Sequence, residues 1–530
     1  MRDFERPGRS VVTARNGMVA TSHPASSLAA VDVLRAGGNA LDAAVAACAV
    51  QCVVEPGSTG IGGDCFALIS PDGTDRIIAY DGSGRAPAAA SAESLRGQGL
   101  GDIPRQSPHA VTVPGAVEAW ARLLADHGTR GLGEVLQPAI ALAEEGYAIA
   151  PRAAADWAKQ EALLRADPDA ARVFLPGGRL PQAGEVHRQP ELGATLRAIA
   201  EAGPEAFYAG PIAEDIVGKL RSLGGSHTLA DFAAAQGCYR TPIRTSFRGH
   251  DVYECPPGGQ GVVALMILNI LSGFEGCGDP LSAERLHLEI EATRLAYSVR
   301  DAVLADPEQS DVPVDWLLSE ELAGALRRRI DPARAIDGIP AYVPPDHRDT
   351  VYVCVVDRNR MAVSFINSLF HPFGSGILAP RSGVMLHNRG QSFVLTPGHP
   401  NALAPGKRPL HTIIPGMLAR DGRVEMAFGV MGGHYQAMGH AHFLAKVLDY
   451  GLDIQTAIDL PRLFPRPGTD QVEVEDTMPA ATREELARRG FKLIPPNWAI
   501  GGAQAVAIDW RNGVLAGASD HRKDGMALGY

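Results

Sequence analysis

A pair of apolar, β-branched runs in the last third of the chain constrains the fold more than any other feature. Residues 351–356 read Val-Tyr-Val-Cys-Val-Val and residues 361–368 read Met-Ala-Val-Ser-Phe-Ile-Asn-Ser, with a polar turn between them. This pattern predicts a β-hairpin, and Thr350 stands at the first position of its first strand. If the chain is cut between Asp349 and Thr350, the threonine gains a free α-amino group and carries both a nucleophile and a base. The Asp349–Thr350 bond is therefore a candidate cleavage site.

Composition and charge limit the classes of partner. The 530 residues carry a formal net charge of −11, which argues against nucleic acid or an anionic membrane surface, because both need a basic face. The charged first thirty residues show no Sec-type signal peptide. The weakly polar stretch 40–54 is too short to span a bilayer. We therefore expect a cytoplasmic protein, large enough for two domains or for one large unit.

The cysteines predict neither a disulfide framework nor a metal site. Seven cysteines are scattered along the chain without a Cys-x-x-Cys pair, a pattern that fits reduced thiols packed in a core. They are Cys48, Cys52, Cys65, Cys238, Cys255, Cys277 and Cys354. We expect no structural zinc and no other cofactor.

Hydrophobic periodicity predicts a mixture of helices and strands without an internal repeat. The predicted elements are a strand at 17–22, helices at 26–36 and 40–53, a hairpin at 65–80, a mostly helical region 132–223, strands within 241–257, helices at 262–271 and 283–303, a long loop at 336–348, mainly strands from 350 onward, and helices at 437–450 and 454–460. Asn39 is the predicted cap of the second helix.

The glycine-rich segment Pro56–Asp64 is superficially similar to a dinucleotide-binding loop. It follows a predicted helix and precedes a predicted strand, which reverses the strand–loop–helix order that directs a helix N-terminus at a phosphate. We interpret it as a tight turn beside a pocket and expect no nucleotide cofactor.

An ordered set of short motifs extends from residue 18 to the C-terminus. The motifs lie at residues 38–44, 57–63, 113–115, 256–259, 287–307, 373–376, 408–410 and 432–433. Together with the strand after Thr350 they resemble the γ-glutamyltransferase family, whose precursors cleave themselves before such a threonine. The resemblance implies the N-terminal-nucleophile hydrolase fold, an α+β αββα sandwich of two stacked sheets flanked by helices.

The resemblance also implies subunits and roles. Residues 1–349 would form a large subunit and residues 350–530 a small one, joined in a heterodimer that can dimerise further. Thr350 would be the nucleophile, and Ser368 the hydroxyl residue that hydrogen-bonds it. Gly432 and Gly433 would supply the oxyanion hole, because consecutive glycine N–H groups can be approached without side-chain hindrance.

The γ-glutamyl subsite of the family is altered in two places. The family holds the substrate α-carboxylate with an Arg three residues before an Ala-Pro pair, and counting back from Ala86–Pro87 this chain has Ser83, with Arg85 out of register. The family binds the α-amino group with an acidic pair, and the matching positions here are Gln391 and Ser392. Glutathione is therefore a poor candidate substrate.

The residues that replace this subsite predict a different substrate. An ammonium group would meet Arg389, and like charges disfavour that encounter. His411 and Thr412 occupy the positions of the family's paired serines. A guanidinium with a histidine and a threonine suits a small amide that carries a carboxylate and no amine. Among the family's branches this pattern resembles oxamate amidohydrolase, then the cephalosporin or glutaryl acylases, while γ-glutamyl transfer or glutathione hydrolysis stays an alternative. A structural salt bridge is the alternative role of Arg389.

Two functions of other classes stay open at this point. Seven histidines in the last third suggest a metal-dependent amidohydrolase, namely His371, His387, His399, His411, His434, His440 and His442. The last two lie two residues apart on a predicted helix and would face different ways, and no His-Glu-x-x-His pattern occurs. A catalytically silent binding protein is the other alternative, because fold does not guarantee chemistry. A denaturing gel separates them, since only the self-cleaving enzyme yields two bands.

Overall fold

The computed structural model describes residue 5 and residues 8–276, 278–339 and 350–530. Nineteen strands and twenty α-helices occur in these ranges. The strands are β1 (Val12–Ala14), β2 (Met18–Thr21), β3 (Asp64–Ser70), β4 (Ile78–Gly82), β5 (Tyr147–Ala148), β6 (Val186–His187), β7 (Cys238–Arg240), β8 (Ile243–Phe247), β9 (His250–Glu254), β10 (Val351–Val356), β11 (Ala362–Ser368), β12 (Gly416–Arg420), β13 (Arg423–Met431), β14 (Leu463–Pro465), β15 (Gln471–Val474), β16 (Lys492–Ile494), β17 (Gly502–Asp509), β18 (Val514–Ser519) and β19 (Met526–Gly529).

The helices surround these strands. They are α1 (Pro24–Arg35), α2 (Ala40–Val54), α3 (Ala92–Gly97), α4 (Ala116–His127), α5 (Leu132–Val135), α6 (Gln137–Glu145), α7 (Pro151–Ala158), α8 (Glu161–Ala166), α9 (Pro168–Phe174), α10 (Pro190–Ala202), α11 (Glu205–Tyr208), α12 (Pro211–Ser222), α13 (Leu229–Ala233), α14 (Gly261–Leu271), α15 (Ala283–Val303), α16 (Val314–Leu317), α17 (Glu320–Arg327), α18 (Tyr435–Leu448), α19 (Ile454–Asp459) and α20 (Ala480–Arg488). Short 3-10 helices span Pro108–Ala110, Pro176–Gly178 and Arg389–Ser392.

Two seven-stranded antiparallel sheets form the centre of the molecule. One has the order β1-β18-β17-β13-β12-β9-β8, and the other has the order β19-β2-β10-β11-β3-β4-β7. Two smaller sheets, β14-β15-β16 and β5-β6, lie outside them. Each large sheet contains strands from before residue 340 and strands from after residue 349. The two parts of the chain therefore share both sheets.

Strand β10 shows how the layers stack. Tyr352 and Cys354 join a buried cluster with Met417 of β12, so one face of β10 packs against the other sheet. Val353 and Val355 lie on the opposite face, in a cluster with residues of α1 and α2. The outer face of the sheet that contains β12 packs in the same way against α14, α15 and α18. This helix–sheet–sheet–helix order confirms the αββα sandwich.

Several local predictions are confirmed. β10 and β11 form the predicted hairpin, with Val351 opposite Asn367. Helix α15 has the predicted bounds. Helix α2 begins at Ala40 because the Asn39 side chain accepts the N–H groups of the first turn and completes a capping box. The glycine-rich segment connects α2 to β3, as its helix-before-strand order indicated.

The prediction that strands continue after the hairpin is wrong for residues 369–415. In this fully described segment the chain forms turns, isolated bridges and one 3-10 helix. Seven prolines and six glycines interrupt it, and proline cannot donate to a strand ladder. Phe370 and Phe373 have φ values of 80° and 58°, which lie outside strand geometry. The segment is nonetheless largely buried and carries much of the candidate site.

Three further predictions concern thiols, membranes and the long loop. All six cysteines in the described ranges are free, as predicted; Cys277 lies outside those ranges. None of the described helices has the length and apolarity needed to cross a bilayer. The predicted loop at 336–348 falls mostly outside the described residues.

Candidate active site

Thr350 lies directly before β10 and faces the end of β11. Its side chain is buried, and its Oγ1 is 3.2 Å from the Oγ of Ser368. The register of the hairpin produces this contact, because Ser368 follows the residue that pairs with Val351. The Oγ of Ser368 also accepts the N–H of Phe370 at 2.9 Å. The other half of the predicted cleavage site, Asp349, lies outside the described residues.

Gly432 and Gly433 form the turn between β13 and α18. Their φ values are 120° and 60°, a region that favours glycine. In the first turn of α18, Gln436 places its Nε2 3.5 Å from the Oγ1 of Thr350, and its Oε1 accepts the N–H of Ile414 at 3.1 Å. The N-terminus of this helix thus lies beside Thr350, where the helix dipole favours negative charge.

Arg389 begins the 3-10 helix and is completely buried. Its Nη1 donates to the Oγ1 of Thr412 at 3.1 Å, and its guanidinium carbon lies 4.4 Å from the ring centroid of Phe370. Its Nε is 3.7 Å from the Oδ2 of Asp64, too far for a hydrogen bond. Its Nη2 has no hydrogen-bond partner within the described part of the chain. Burial lowers the pKa of Arg389 to about 10, although Asp64 opposes this, so the group is charged at neutral pH.

His411 and Thr412 follow one another behind this guanidinium. The His411 ring directs Nδ1 at the Pro409 carbonyl oxygen (2.7 Å) and Nε2 at the Oδ2 of Asp64 (3.2 Å). Gln260, which the sequence did not single out, fixes the segment. Its backbone N–H donates to the His411 carbonyl, and its Nε2 donates to the carbonyls of Thr412 (2.9 Å) and Gly433 (3.0 Å). Gln260 therefore ties the Arg389 side of the site to the glycine pair.

Asp64 is a further site residue that the sequence did not single out. This first residue of β3 is fully buried, and its Oδ1 accepts the N–H of Gly84 at 2.9 Å. Its Oδ2 lies 3.0 Å from the Nδ1 of His387, at an angle unsuited to a hydrogen bond, and near His411 and Arg389 as given above. Burial raises the pKa of Asp64, but His387 and His411 outweigh it and hold that pKa well below its usual range. The sequence signal that could have identified Asp64 is its position at the end of the glycine-rich segment Pro56–Asp64.

The remaining predicted binding residues present no charge to the site. The hydroxyl of Ser83 donates to Asp81. The Oε1 of Gln391 accepts from the Nδ2 of Asn388 at 2.9 Å. Ser392 is half-buried and lines a small cleft beside Phe370 and His434.

Arg85, next to the altered subsite, points away from it. Its Nη1 donates to the carbonyl of Gly406 at 3.0 Å, and its Nη2 pairs with Glu308 at 2.6 Å, where both side chains are about one-third exposed. It therefore does not replace the arginine that the resemblance places at position 83.

The two histidines of α18 that were considered for a metal site have separate partners. The Nδ1 of His440 is 2.6 Å from Glu254, and the Nδ1 of His442 is 2.7 Å from Glu289. Within the described ranges no group of three or more His, Cys, Asp or Glu side chains is arranged to hold a metal ion.

Replacing Ser368 with alanine should slow both cleavage and turnover. The change removes the oxygen beside Thr350 and takes from the buried N–H of Phe370 the acceptor at Ser368, a loss of about 1–3 kcal/mol, or roughly 5- to 150-fold in rate if it falls on the reacting geometry. Ser364→Ala is the matched control, because it deletes a buried hydroxyl of the same strand that contacts Tyr352 instead. Equal cleavage and turnover rates in the two variants would exclude a specific role for Ser368.

Similarity to known proteins extends over almost the whole chain. The family model described as gamma-glutamyltranspeptidase matches residues 26–530. The chain is 36% identical over 530 residues to the glutathione hydrolase-like YwrD proenzyme of Bacillus subtilis, covering 98% of this chain and 99% of that protein. It is 37% identical over 529 residues to the oxamate amidohydrolase proenzyme of Klebsiella pneumoniae, covering 97% and 98%. The crystal structure of cephalosporin acylase from Bacillus halodurans superposes with a TM-score of 0.92 at 39% identity, covering 100% of this chain and 99% of that one.

Proposed function

Because the chain belongs to the γ-glutamyltranspeptidase family, whose members are N-terminal-nucleophile amide hydrolases, we propose that it is a proenzyme cleaved before Thr350. We further propose that the processed enzyme hydrolyses a small amide bearing a carboxylate and no ammonium, and that oxamate is the leading candidate. Oxamate and water would give oxalate and ammonia. The relatives named above as proenzymes support the first part, and the surroundings of Arg389 support the second.

Cleavage and turnover use the same hydroxyl. In the precursor, the Oγ1 of Thr350 attacks the carbonyl carbon of Asp349, the acyl group moves from nitrogen to oxygen, and water hydrolyses the resulting ester. The liberated α-amine has an ordinary pKa of about 7.7–8.0, so a substantial neutral fraction is present at physiological pH. This amine accepts the hydroxyl proton of Thr350 when the oxygen attacks the next amide.

Turnover then proceeds through an acyl-enzyme. Attack of Thr350 on the amide carbon of oxamate forms a tetrahedral oxyanion, which we assign to the N–H groups of Gly432 and Gly433. Collapse breaks the carbon–nitrogen bond, and ammonia leaves after protonation by the Thr350 ammonium. Water hydrolyses the oxalyl ester and releases oxalate. Loss of one oxyanion donor would cost about 10²–10³ in rate, as in other acyl-transfer enzymes.

One observation is the main support for a substrate that bears a carboxylate. Arg389 is buried and charged, and its Nη2 has no hydrogen-bond partner in the described chain. A buried donor of this kind is unfavourable unless a ligand completes it, and a carboxylate is the matching acceptor. Phe370 connects this group to the nucleophile, since its ring lies 4.4 Å from the guanidinium carbon and its N–H donates to Ser368.

The carboxylate that lies beside Arg389 in the described residues is already engaged, which supports the same choice. Asp64 is the carboxylate nearest to Arg389 among the described ion pairs. Its oxygens already face Gly84, His387 and His411. A substrate ammonium at Asp64 would therefore have to displace these contacts.

A longer acyl chain is the second candidate. Glutaryl amides also carry a carboxylate and no ammonium, and the similarity to cephalosporin acylase of Bacillus halodurans favours them. Release of ammonia or amine from oxamate, glutamine, glutathione and a glutaryl amide, measured on one preparation, separates the candidates. Fastest turnover of oxamate supports the leading candidate, and fastest turnover of the glutaryl amide supports the second.

The proposed subunits should stay together after cleavage. Residues 1–349 and 350–530 would each contribute strands to both large sheets, so separation would expose the cluster between the sheets. We propose a heterodimer of the two pieces.

Replacing Arg389 with leucine should lower kcat/KM for oxamate by about 10- to 150-fold, because a charge-assisted contact is worth roughly 1.5–3 kcal/mol. Cleavage should persist, since it needs no external carboxylate. Arg85→Leu is the matched control, because Arg85 pairs with Glu308, where both side chains are about one-third exposed. Steady-state kinetics of both variants provide the measurement. Equal specificity constants for wild type and Arg389→Leu would make Arg389 a structural residue.

A further inference from the structure

We propose that Asp64 and His411 couple anion binding to proton binding. Asp64 acts as the positioning residue that holds Arg389 and His411 in one cluster, and His411 takes up one proton from water when a carboxylate binds at Arg389. The inference rests on the proposed function only in its use of Arg389 as the anion site. It extends the proposed function by assigning roles to the Asp64 carboxylate and the His411 ring, which take no part in the chemistry at Thr350.

Three separate chain segments meet at Asp64. Strand β3 supplies the carboxylate, the segment around residue 388 supplies His387 and Arg389, and the segment before β12 supplies His411. All four side chains are at most 1% exposed. Any charge brought into the cluster therefore has to be balanced inside it.

The charges already present balance before a substrate enters. Asp64 is negative and Arg389 is positive, and no other Lys or Arg within the described ranges forms an ion pair with Asp64. A substrate carboxylate at the Nη2 of Arg389 would leave one negative charge in excess. A histidine that gains a proton restores neutrality, and the two rings that face Asp64 are the candidates.

The His411 ring has the geometry of a proton acceptor for this purpose. Its Nδ1 is 2.7 Å from the carbonyl oxygen of Pro409, and its Nε2 is 3.2 Å from the Oδ2 of Asp64. Both oxygens only accept hydrogen bonds, whereas a neutral imidazole has one N–H to donate. The neutral ring can therefore make only one of the two contacts a hydrogen bond, whereas the imidazolium form makes both. His387 differs, because within the described residues only its Nε2 makes hydrogen-bond contacts, to the Thr112 carbonyl oxygen at 2.9 Å and the Thr112 hydroxyl at 3.2 Å, so one N–H satisfies this ring.

The sign of the pH dependence follows from the groups that face His411. Burial lowers the pKa of His411, Asp64 and the more distant Asp81 raise it, and Arg389 lowers it; His387 faces it across Asp64. A bound carboxylate offsets the charge of Arg389, so the pKa of His411 is higher in the complex than in the free enzyme. Anion affinity is therefore greatest below the free-enzyme pKa. Between the pKa of His411 in the free enzyme and its pKa in the complex, the affinity falls by about tenfold per pH unit. Above the pKa of the complex the affinity no longer changes with the protonation of His411.

Calorimetric titration of the processed enzyme with propionate tests the coupling directly. Propionate is a monocarboxylate similar in size to oxamate, without a reactive carbonyl. Titrations in buffers of different ionisation enthalpy, repeated between about pH 5 and pH 8, give the number of protons taken up. We expect the uptake to approach one proton per bound propionate within this range.

Two variants should abolish the uptake. Asp64→Asn removes the charge that already neutralises Arg389, so the anion becomes the counter-charge and no proton is needed. His411→Gln removes the titrating ring and tests the proposal even if Asp64→Asn does not fold. His109→Gln is the matched control, because this partly buried histidine makes no contact with Asp64; its proton uptake should equal that of wild type.

The outcomes separate this inference from the proposed function. Propionate that binds wild type but not Arg389→Leu, with no proton uptake at any pH, would overturn the coupling and leave the anion site intact. Propionate that fails to bind, or that binds equally well to Arg389→Leu, would overturn the anion site and the coupling together. Undiminished uptake in His411→Gln would also overturn the role given to His411.

Discussion

Replacing Thr350 with alanine should leave the 530-residue chain in one piece and remove amidase activity. The same oxygen performs the acyl shift in the precursor and the attack on the substrate. Removal of the nucleophile in another acyl-transfer enzyme costs on the order of 10⁶ in kcat, so residual turnover should fall below detection. The protein should still fold, because Thr350 precedes β10 and contributes no side chain to the clusters that hold the sheets together.

Thr350→Ser is the matched control for this change. It keeps a hydroxyl beside Ser368 and should still be cleaved and active, although more slowly. A denaturing gel with N-terminal sequencing measures cleavage, and ammonia release measures activity. If purified Thr350→Ala still appeared as two fragments, with a new N-terminus at residue 350, self-processing by this hydroxyl would be wrong.

The processed enzyme should turn over oxamate at least about 100-fold faster than γ-glutamyl-p-nitroanilide, compared as kcat/KM. Ser83 has no positive charge to hold the α-carboxylate of a γ-glutamyl group, and its hydroxyl already donates a hydrogen bond to Asp81. Gln391 and Ser392 carry no charge to neutralise the ammonium, while the positive charge of Arg389 repels it. A buried ammonium without a counter-charge is unfavourable by several kcal/mol.

Arg389→Leu provides the internal control for this selectivity. It should reduce turnover of oxamate and leave turnover of the γ-glutamyl compound unchanged or raised, because it removes an attractive group for one substrate and a repulsive group for the other. Both rates are measured on the same preparations. Faster turnover of γ-glutamyl-p-nitroanilide by wild type would overturn the substrate assignment.

The regular elements were predictable because their signals are local. The alternation of helix and strand around α2 and β3 follows from the Asn39 cap and from the apolar run after Asp64. The hairpin of β10 and β11 and the bounds of α15 follow from the residues within them. The stacking of the two sheets did not follow from periodicity and came from the family resemblance.

The segment 369–415 was not predictable in the same way. Its prolines, glycines and residues with positive φ interrupt any regular alternation of polar and apolar residues. A sequence pattern therefore does not predict its path, which depends on tertiary contacts. Gly62 illustrates the difficulty. A Cβ at this position would lie 2.2 Å from the carbonyl oxygen of Met385, so the glycine is needed for an approach by a segment more than 300 residues away.

Site residues could be predicted from the sequence only where they belong to a motif of the family. Thr350, Ser368 and Arg389 were found by position within the family pattern, and the structure brings them together through Phe370. Asp64 was missed because its histidine partners come from segments more than 300 residues downstream. Gln260 and Gln436 were missed for the same reason, since each joins segments that are distant in sequence.

Mass spectrometry of the purified wild-type protein, paired with an ammonia-release assay on oxamate, tests the central claim most directly. An N-terminal threonine nucleophile predicts two polypeptides, residues 1–349 and 350–530, with Thr350 as the first residue of the second. The same sample should release ammonia from oxamate. A single intact chain of 530 residues that hydrolyses oxamate would contradict the account, because Thr350 would then have no free amine to act as its base.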